Sequence, residues 1–443
     1  MNPDFFLTRT LRNHPRGESI ARVLAVALDA VEPGRAVGRF VSFEGETLKI
    51  AGSPITVEGK IFTLGIGKAA VAMTRSLANI LGRRLASGLV VTKHTTGNPI
   101  FGVDVMEGGH PIPDERSLIA GSRFEEFISG IGEDDLLICL ISGGGSALLA
   151  SPVEGVSLDD LQSLTTSLLE CGARIDEVNI LRRQLDRLKG GGLAQMAAPA
   201  HVVSLILSDV VGSPLEAIAS GPTVPDPTTA ADALEVLERY GLSKKTPKSI
   251  LKVLRRGQKD KRPSPENHVQ NIIVGSNLMA AQAALLQAQE EGFHPYLLQT
   301  DLQGEARDVA MDLSIQLRWA WKMGDPVPRP ACIVAGGETT VTVHADGRGG
   351  RNTELALAAV SELADFPDVM VVTLATDGED GATDAAGAVV TGDTWRSGIE
   401  LDMNSSEFLN RNDSYTYFNA LDDLLKPGPT GTNVNDLTFL FTF

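Results

Sequence analysis

The chain has 443 residues, and 39 basic against 56 acidic side chains give it a formal net charge of −17. Apolar residues make up 43% and charged residues 21%, an ordinary globular composition with chain enough for two or three domains. No basic stripe able to displace counterions from phosphates is visible, which argues against a nucleic-acid reader, and no apolar run approaches the ~20 residues of a membrane span. Cys139, Cys171 and Cys332 lie far apart without metal-ligand spacing, and no HExxH pattern occurs. So sparse a cysteine count suits a reducing compartment, and a cytoplasmic location is expected.

Phe5 to Val31 reads as an amphipathic helix. Non-alternating apolar runs then predict strands at Lys60 to Leu64, Gly88 to Thr92, Asp135 to Ile141 and His201 to Leu207, each buried on both faces. Helical periodicity fills the intervals at Lys68 to Leu81, Arg116 to Ser129 and Leu158 to Glu170. Lys244 to Gln270 is polar and proline-rich, and it reads as a solvated helix and linker. A second alternation follows: strand Asn271 to Val274, helix Asn277 to Glu291, strand Pro295 to Gln299, helix Glu305 to Lys322. Strands Ala331 to Ala335 and Val341 to His344, helix Arg351 to Leu363 and strand Val369 to Leu374 complete it. The pattern predicts an α/β fold: two α/β domains with mostly parallel, helix-covered sheets. The boundary is placed near residue 264, giving an N-terminal Rossmann-like domain at 1–264 and a C-terminal domain at 265–443.

Function is expected in the loops that follow strands. Gly65 and Gly67, with Lys68 after them, fit G-x-G-x-x-A between strand and helix, a dinucleotide fingerprint. The acidic residue that would hold a ribose is missing, since the next strand ends at Lys93 and His94. Lys68 at a helix start opposes the helix dipole, and an adjacent anion would remove that penalty. Ser142, Gly143, Gly144, Gly145 and Ser146 form a triple-glycine loop whose bare N–H groups are expected to wrap oxyanion oxygens at a helix N-terminus. Asp209 at the end of a strand could accept a proton from a hydroxyl, hold magnesium, or simply form a turn. Later loops add Gly337, Glu338 and Thr339, then Arg351 and Asn352 after a glycine-rich turn, then Asp377. Arg351, again a cation at a helix start, predicts an anionic ligand.

Nine motifs in order, from Gly65 to Ala70 through Ser142 to Leu149, Lys189 to Gly191, Ser208 to Gly212, Ala219 to Pro227, Gly336 to Thr339, Gly349 to Glu354, Thr376 to Gly387 and Gly428 to Leu437, resemble the class II glycerate 2-kinase family. That family carries a C-terminal MOFRL domain and has often been labelled hydroxypyruvate reductase. The resemblance spans Arg22 to Leu440. It implies an active site in an inter-domain cleft and transfer of the γ-phosphoryl of ATP, with Mg²⁺, to the C2 hydroxyl of D-glycerate. The product would be 2-phosphoglycerate. It also places the family's catalytic lysine, acidic residue and arginine on Lys68, Asp209 and Arg351, with Asp209 as the candidate Mg²⁺ ligand. Gly192, Ser213, Thr353 and Ala382 depart from the usual residues, which bears on substrate preference. The expected partners are D-glycerate and ATP, with neither nucleic acid nor membrane, and a homodimer is compatible with the sequence. The alternative is an NAD(P)-dependent hydroxypyruvate reductase, for which His110 is the one histidine in a suggestive loop; a non-catalytic metabolite sensor is a third reading.

Overall fold

A computed structural model describes residues 1–95, 97–257 and 268–443. The chain folds as two compact units, Pro33–Val274 and Met1–Glu32 together with Gly275–Phe443. The boundary expected near residue 264 lies outside the described residues. The observed division falls at Val274, and the first 32 residues belong with the second half of the sequence. Their reason for doing so is a buried apolar stripe. Helix Gly17–Asp29 buries Ile20, Val23, Leu24 and Ala27 and packs on helix Asn277–Glu290. Arg22 closes the edge with two hydrogen bonds to Glu291, at 2.6 and 2.8 Å. The single helix expected over Phe5 to Val31 is instead three short ones, Pro3–Phe6, Arg9–Asn13 and Gly17–Asp29. Thr8 caps the second, and the chain is extended at His14, ahead of Pro15, as proline requires of its predecessor.

The unit Pro33–Val274 opens with a small antiparallel meander, β1 Val41–Glu44, β2 Thr47–Ile50 and β3 Ser53–Ile55. Its main sheet contains β4 Ile61–Ile66, β5 Leu85–Thr92, β6 Val103–Glu107, β7 Leu136–Ile141, β8 His201–Leu207 and β9 Val269–Gly275. They lie in the order β6-β5-β4-β7-β8-β9, and the pairs from β6 to β8 are parallel. Both faces are covered, which explains the unbroken apolar runs. Leu89 and Val91 of β5 enter a cluster with Phe124 of helix Glu115–Ser129, whereas Val90 between them packs with Ala70 and Val71 of helix Ala70–Leu81. A separate apolar cluster joins four helices: Leu158–Glu170, Ile175–Leu185, Ala230–Arg239 and Lys248–Arg256.

The other unit holds β10 His294–Leu302, β11 Ala331–Gly337, β12 Val369–Ala375, β13 Gly387–Thr391, β14 Leu424–Leu425 and β15 Asp436–Thr442. Their order is β10-β11-β15-β12-β13-β14. β10 and β11 are parallel, but β15 runs antiparallel between β11 and β12, and β13 is antiparallel to β12. The α/β class holds in both units, with a mixed sheet in this one. The strand expected at Val341 to His344 does not form. The Glu305 carboxylate accepts from the Thr342 N–H and hydroxyl, and Asn412 Oδ1 accepts from the His344 N–H, so side chains take groups that a ladder would have paired. Among the described residues no helix is long and apolar enough to cross a membrane.

Candidate active site

In the unit Pro33–Val274 the chain leaves β4 toward β5 and β6 on one side and returns to β7 and β8 on the other. The loops after β4 and β7 therefore open side by side at the carboxyl ends of adjacent strands, the switch point where open α/β sheets bind ligands. The two loops are locked together. Lys68 N–H donates to Gly143 O at 3.0 Å, and Ser142 N–H donates to Ile66 O at 2.9 Å. Ala69 N–H donates to the Ser142 hydroxyl at 3.0 Å. Gly67 makes this approach possible: its φ is 122°, and a Cβ there would lie 2.4 Å from Ser142 O. A Cβ on Gly65 would lie 2.8 Å from Val90, so this glycine serves close packing of the strand.

The triple glycine has the same kind of explanation, and it corrects the expectation of a helix N-terminus wrapped around an oxyanion. The helix that follows, Gly145–Leu148, is one turn long and provides no such terminus. A Cβ on Gly143 would overlap Asp209 Oδ2, at 1.8 Å, and one on Gly145 would lie 2.7 Å from Ala219 Cβ. These glycines let the loops after β7 and β8 meet. Asp209, half-buried, thereby lies against the Gly143 backbone. Gly144 has φ 82°, and Lys68 and His110 lie over it, with Lys68 Cε 3.2 Å and His110 Cδ2 3.3 Å from where its Cβ would be. Ser146 is 2.8 Å from the Ser220 hydroxyl, which donates to Asn179 at 3.0 Å. Ala219 and Ser220 both adopt left-handed backbone, at φ 50° and 60°, a strain concentrated beside this loop.

Three cations act on His110 at this end of the sheet. Burial, with the charges of Lys68, Lys93 and Arg182 added to it, pushes the His110 imidazole down to about 4. Burial alone pushes the Arg182 guanidinium down to about 10. Lys68, Asp209 and Ser142 to Ser146 are thus gathered in one unit. Arg182 escaped that reading because it sits in a helical run whose other signals, Val178, Leu181 and Leu185, are core positions. The signal that could have found it is a second arginine adjoining Arg183 near the end of a helix otherwise facing a core.

In the other unit the remaining candidates collect around β15. Asp436 lies in register with Gly337 of β11 on one side and Ala375 of β12 on the other, so the loops carrying Glu338, Thr339 and Asp377 flank it. Arg351 donates to both Asp436 oxygens, from Nε and, at 3.0 Å, from Nη2; Nη1 is 2.7 Å from Glu338. Burial pushes the Asp436 carboxyl up to about 6 against the pull of Arg351. Glu338 also accepts from Asn435 Nδ2 at 2.9 Å. Arg351 opens the helix Arg351–Glu362. Its N-terminus is filled by Asp380, which accepts from Asn352 N–H at 3.0 Å, Thr353 N–H at 2.8 Å and the Thr353 hydroxyl at 2.7 Å. Asn352 is buried in this cap. Asp377 forms a turn through its acceptance from Glu379 N–H, and burial pushes its carboxyl above the usual value. Asp436, which opens an apolar strand, was missed because its motif read as the end of a polar loop.

Among the described residues no group of three or more His, Cys, Asp or Glu is placed to hold a metal ion. Asp209, a single carboxylate against bare backbone, has the chemistry of a magnesium ligand only where phosphate oxygens and water complete the shell, as Mg²⁺ commonly arranges.

Comparison with known proteins gives two family matches, a domain of unknown function, DUF4147, over residues 19–255 and the MOFRL family over residues 331–436. The chain is 39% identical to a glycerate 2-kinase of Pyrococcus horikoshii, covering 94% of this chain and 95% of that one. It is 37% identical to a human glycerate kinase, covering 96% and 92%. A crystal structure of glycerate kinase from Thermotoga maritima superposes with a TM-score of 0.86 at 36% identity, covering 95% of this chain and 98% of that one.

Proposed function

The chain belongs to the glycerate kinase family, and from that premise we propose that it transfers the γ-phosphoryl of ATP to the C2 hydroxyl of D-glycerate, giving 2-phosphoglycerate. The observation that carries this reading is the switch-point cluster: Lys68 and Asp209 held against one glycine loop by backbone hydrogen bonds and close packing. Phosphoryl transfer asks a protein mainly for positioning and charge neutralisation.

In this reading Lys68 offsets charge on the transferring phosphoryl. Asp209 orients the acceptor hydroxyl and takes its proton, or serves as the carboxylate ligand of Mg²⁺, which would supply neutralisation of phosphate charge. Arg351 is held by Asp436. Its ion pair with Glu338, whose side chain is 42% exposed, is the weaker of its two clamps and the one a phosphate would replace. His110 bears on the reductase alternative. An imidazole held near 4 is neutral at physiological pH, so it offers a carbonyl only the weakly acidic N–H of the neutral ring and not an imidazolium proton.

The test is a product assay. D-glycerate with Mg·ATP should release ADP, and the product should be consumed by enolase without a mutase. Formation of 3-phosphoglycerate alone would overturn the regiochemistry, and NADH oxidation by hydroxypyruvate without ADP release would favour the reductase.

A further inference from the structure

The last turn of helix Ile175–Leu185 carries two neighbouring arginines with different surroundings. Arg183 is engaged throughout: Nε donates to Asp226 at 2.8 Å, Nη1 to Glu216 O at 3.1 Å and Nη2 to Thr228 at 3.4 Å. Arg182 has no carboxylate within 4 Å among the described residues, and its side chain donates only to Asn179 Oδ1, at 3.3 Å. Lys189 makes the contrast sharper. It is buried close to Arg182, but Asp186 at 2.6 Å neutralises it and Leu149 O accepts a further hydrogen bond at 3.0 Å.

A guanidinium carries five N–H groups and a charge that cannot be shed at physiological pH. Arg182 is only partly exposed, and withdrawing most of its charge from water without a counter-ion is costly. The carboxyl end of its helix lowers that cost but supplies no anion. Asp186, four residues on, is already engaged by Lys189. Asn179, Ser220 and Ser146 form a continuous chain of hydrogen bonds from Arg182 to the triple-glycine loop, where Lys68 and His110 lie over Gly144.

We propose that Arg182, positioned by Asn179, which the Ser220 hydroxyl holds in turn, forms the subsite for the substrate's carboxylate, beside the Lys68 that faces the reacting phosphoryl. The proposal rests on the kinase reading above for the identity of the substrate. A guanidinium without a carboxylate partner matches a planar monoanion such as a small 2-hydroxycarboxylate, which it grips through two parallel hydrogen bonds.

Two measurements test it. In calorimetric titration without nucleotide, the full-length protein should bind D-glycerate and should not bind glycerol, which lacks the carboxylate. Arg182→Met should abolish that binding at accessible concentrations and raise KM for D-glycerate on the order of 100-fold, with KM for ATP nearly unchanged. Arg182→Lys keeps the charge and the fold but loses the fork, and it should raise KM for D-glycerate by about tenfold. This milder variant carries the test if Arg182→Met does not fold. A rise in KM for ATP instead would make Arg182 a nucleotide-phosphate ligand and overturn the proposal. Unchanged D-glycerate binding in either folded variant would overturn it too. Loss of D-glycerate binding in a protein that forms no phosphoglycerate would sustain the subsite while removing the kinase reading.

Discussion

Lys68 is fixed through its backbone, by the hydrogen bond from its N–H to Gly143, while its side chain is exposed. Replacing it removes a charge and little packing. Lys68→Ala should lower turnover on the order of a thousand-fold, with the thermal midpoint unchanged or slightly raised because a cation leaves the turn just ahead of helix Ala70–Leu81. Activity near that of the parent would return Lys68 to the solvated surface. His110 makes a second residue-level prediction. Its folded value is about 4 against an ordinary 6.5, with burial the first cause and Lys68, Lys93 and Arg182 the charges facing it. Above pH 6.5 the ring is neutral whether folded or not. As pH falls from 6.5 toward 4, the unfolded chain takes up a proton that the folded chain refuses, so stability falls through this window. Denaturant titrations across it should show a shallower decline for His110→Gln than for the parent; equal slopes would refute the shift. At this scale the sequence was most legible where a residue contradicts its local context. A lysine opening a helix stood out, whereas Arg182 looked like any arginine on a helix, because its missing partner is a fact of three dimensions. Arg351 stood out for the same reason as Lys68, yet the anions it answers to, Asp436 and Glu338, are the protein's own.

Asp380 does for helix Arg351–Glu362 what an external anion was expected to do. It accepts two backbone N–H groups and a hydroxyl with its side chain buried, and a Cβ on Gly350 would come within 2.4 Å of it. Asp380→Ala should therefore lower unfolding free energy by about 2 kcal/mol, the sum of a lost cap and orphaned buried donors. Asp380→Asn, which keeps an acceptor, should lose less. Denaturant midpoints for the two variants measure this, and equal losses would mean that charge alone matters. Elements buried on both sheet faces were the easiest to read, since an apolar run such as His201–Leu207 admits little else. The failed strand at Val341 to His344 has the right apolar and β-branched residues, but its N–H groups were claimed by Glu305 and Asn412, far away in sequence. The place of β15 was equally hidden. Nothing in its residues says that it enters antiparallel between β11 and β12.

The unit Pro33–Val274 is contiguous in sequence, has its own apolar clusters and completes its main sheet without a strand from elsewhere. A fragment covering residues 33–275 should fold by itself with a cooperative denaturant transition, and a fragment with only residual helicity would show that it depends on the rest. The other unit is assembled from both sides of that insertion, and removing β15 would separate β11 from β12 at the centre of its sheet. A chain cut before Asp436 should therefore keep the transition of the first unit and lose that of the second. Interruption of one fold by another has a consequence for synthesis. On the ribosome, the apolar stripe of Ile20, Val23, Leu24 and Ala27 emerges early, and helix Asn277–Glu290, on which it packs, emerges only after the whole of Pro33–Val274. β15 comes later still. Throughout that interval the nascent chain carries an unburied sticky segment tethered to a finished domain, so its hazard in the cell is capture before completion, and slow translation through the inserted unit would lengthen the exposure.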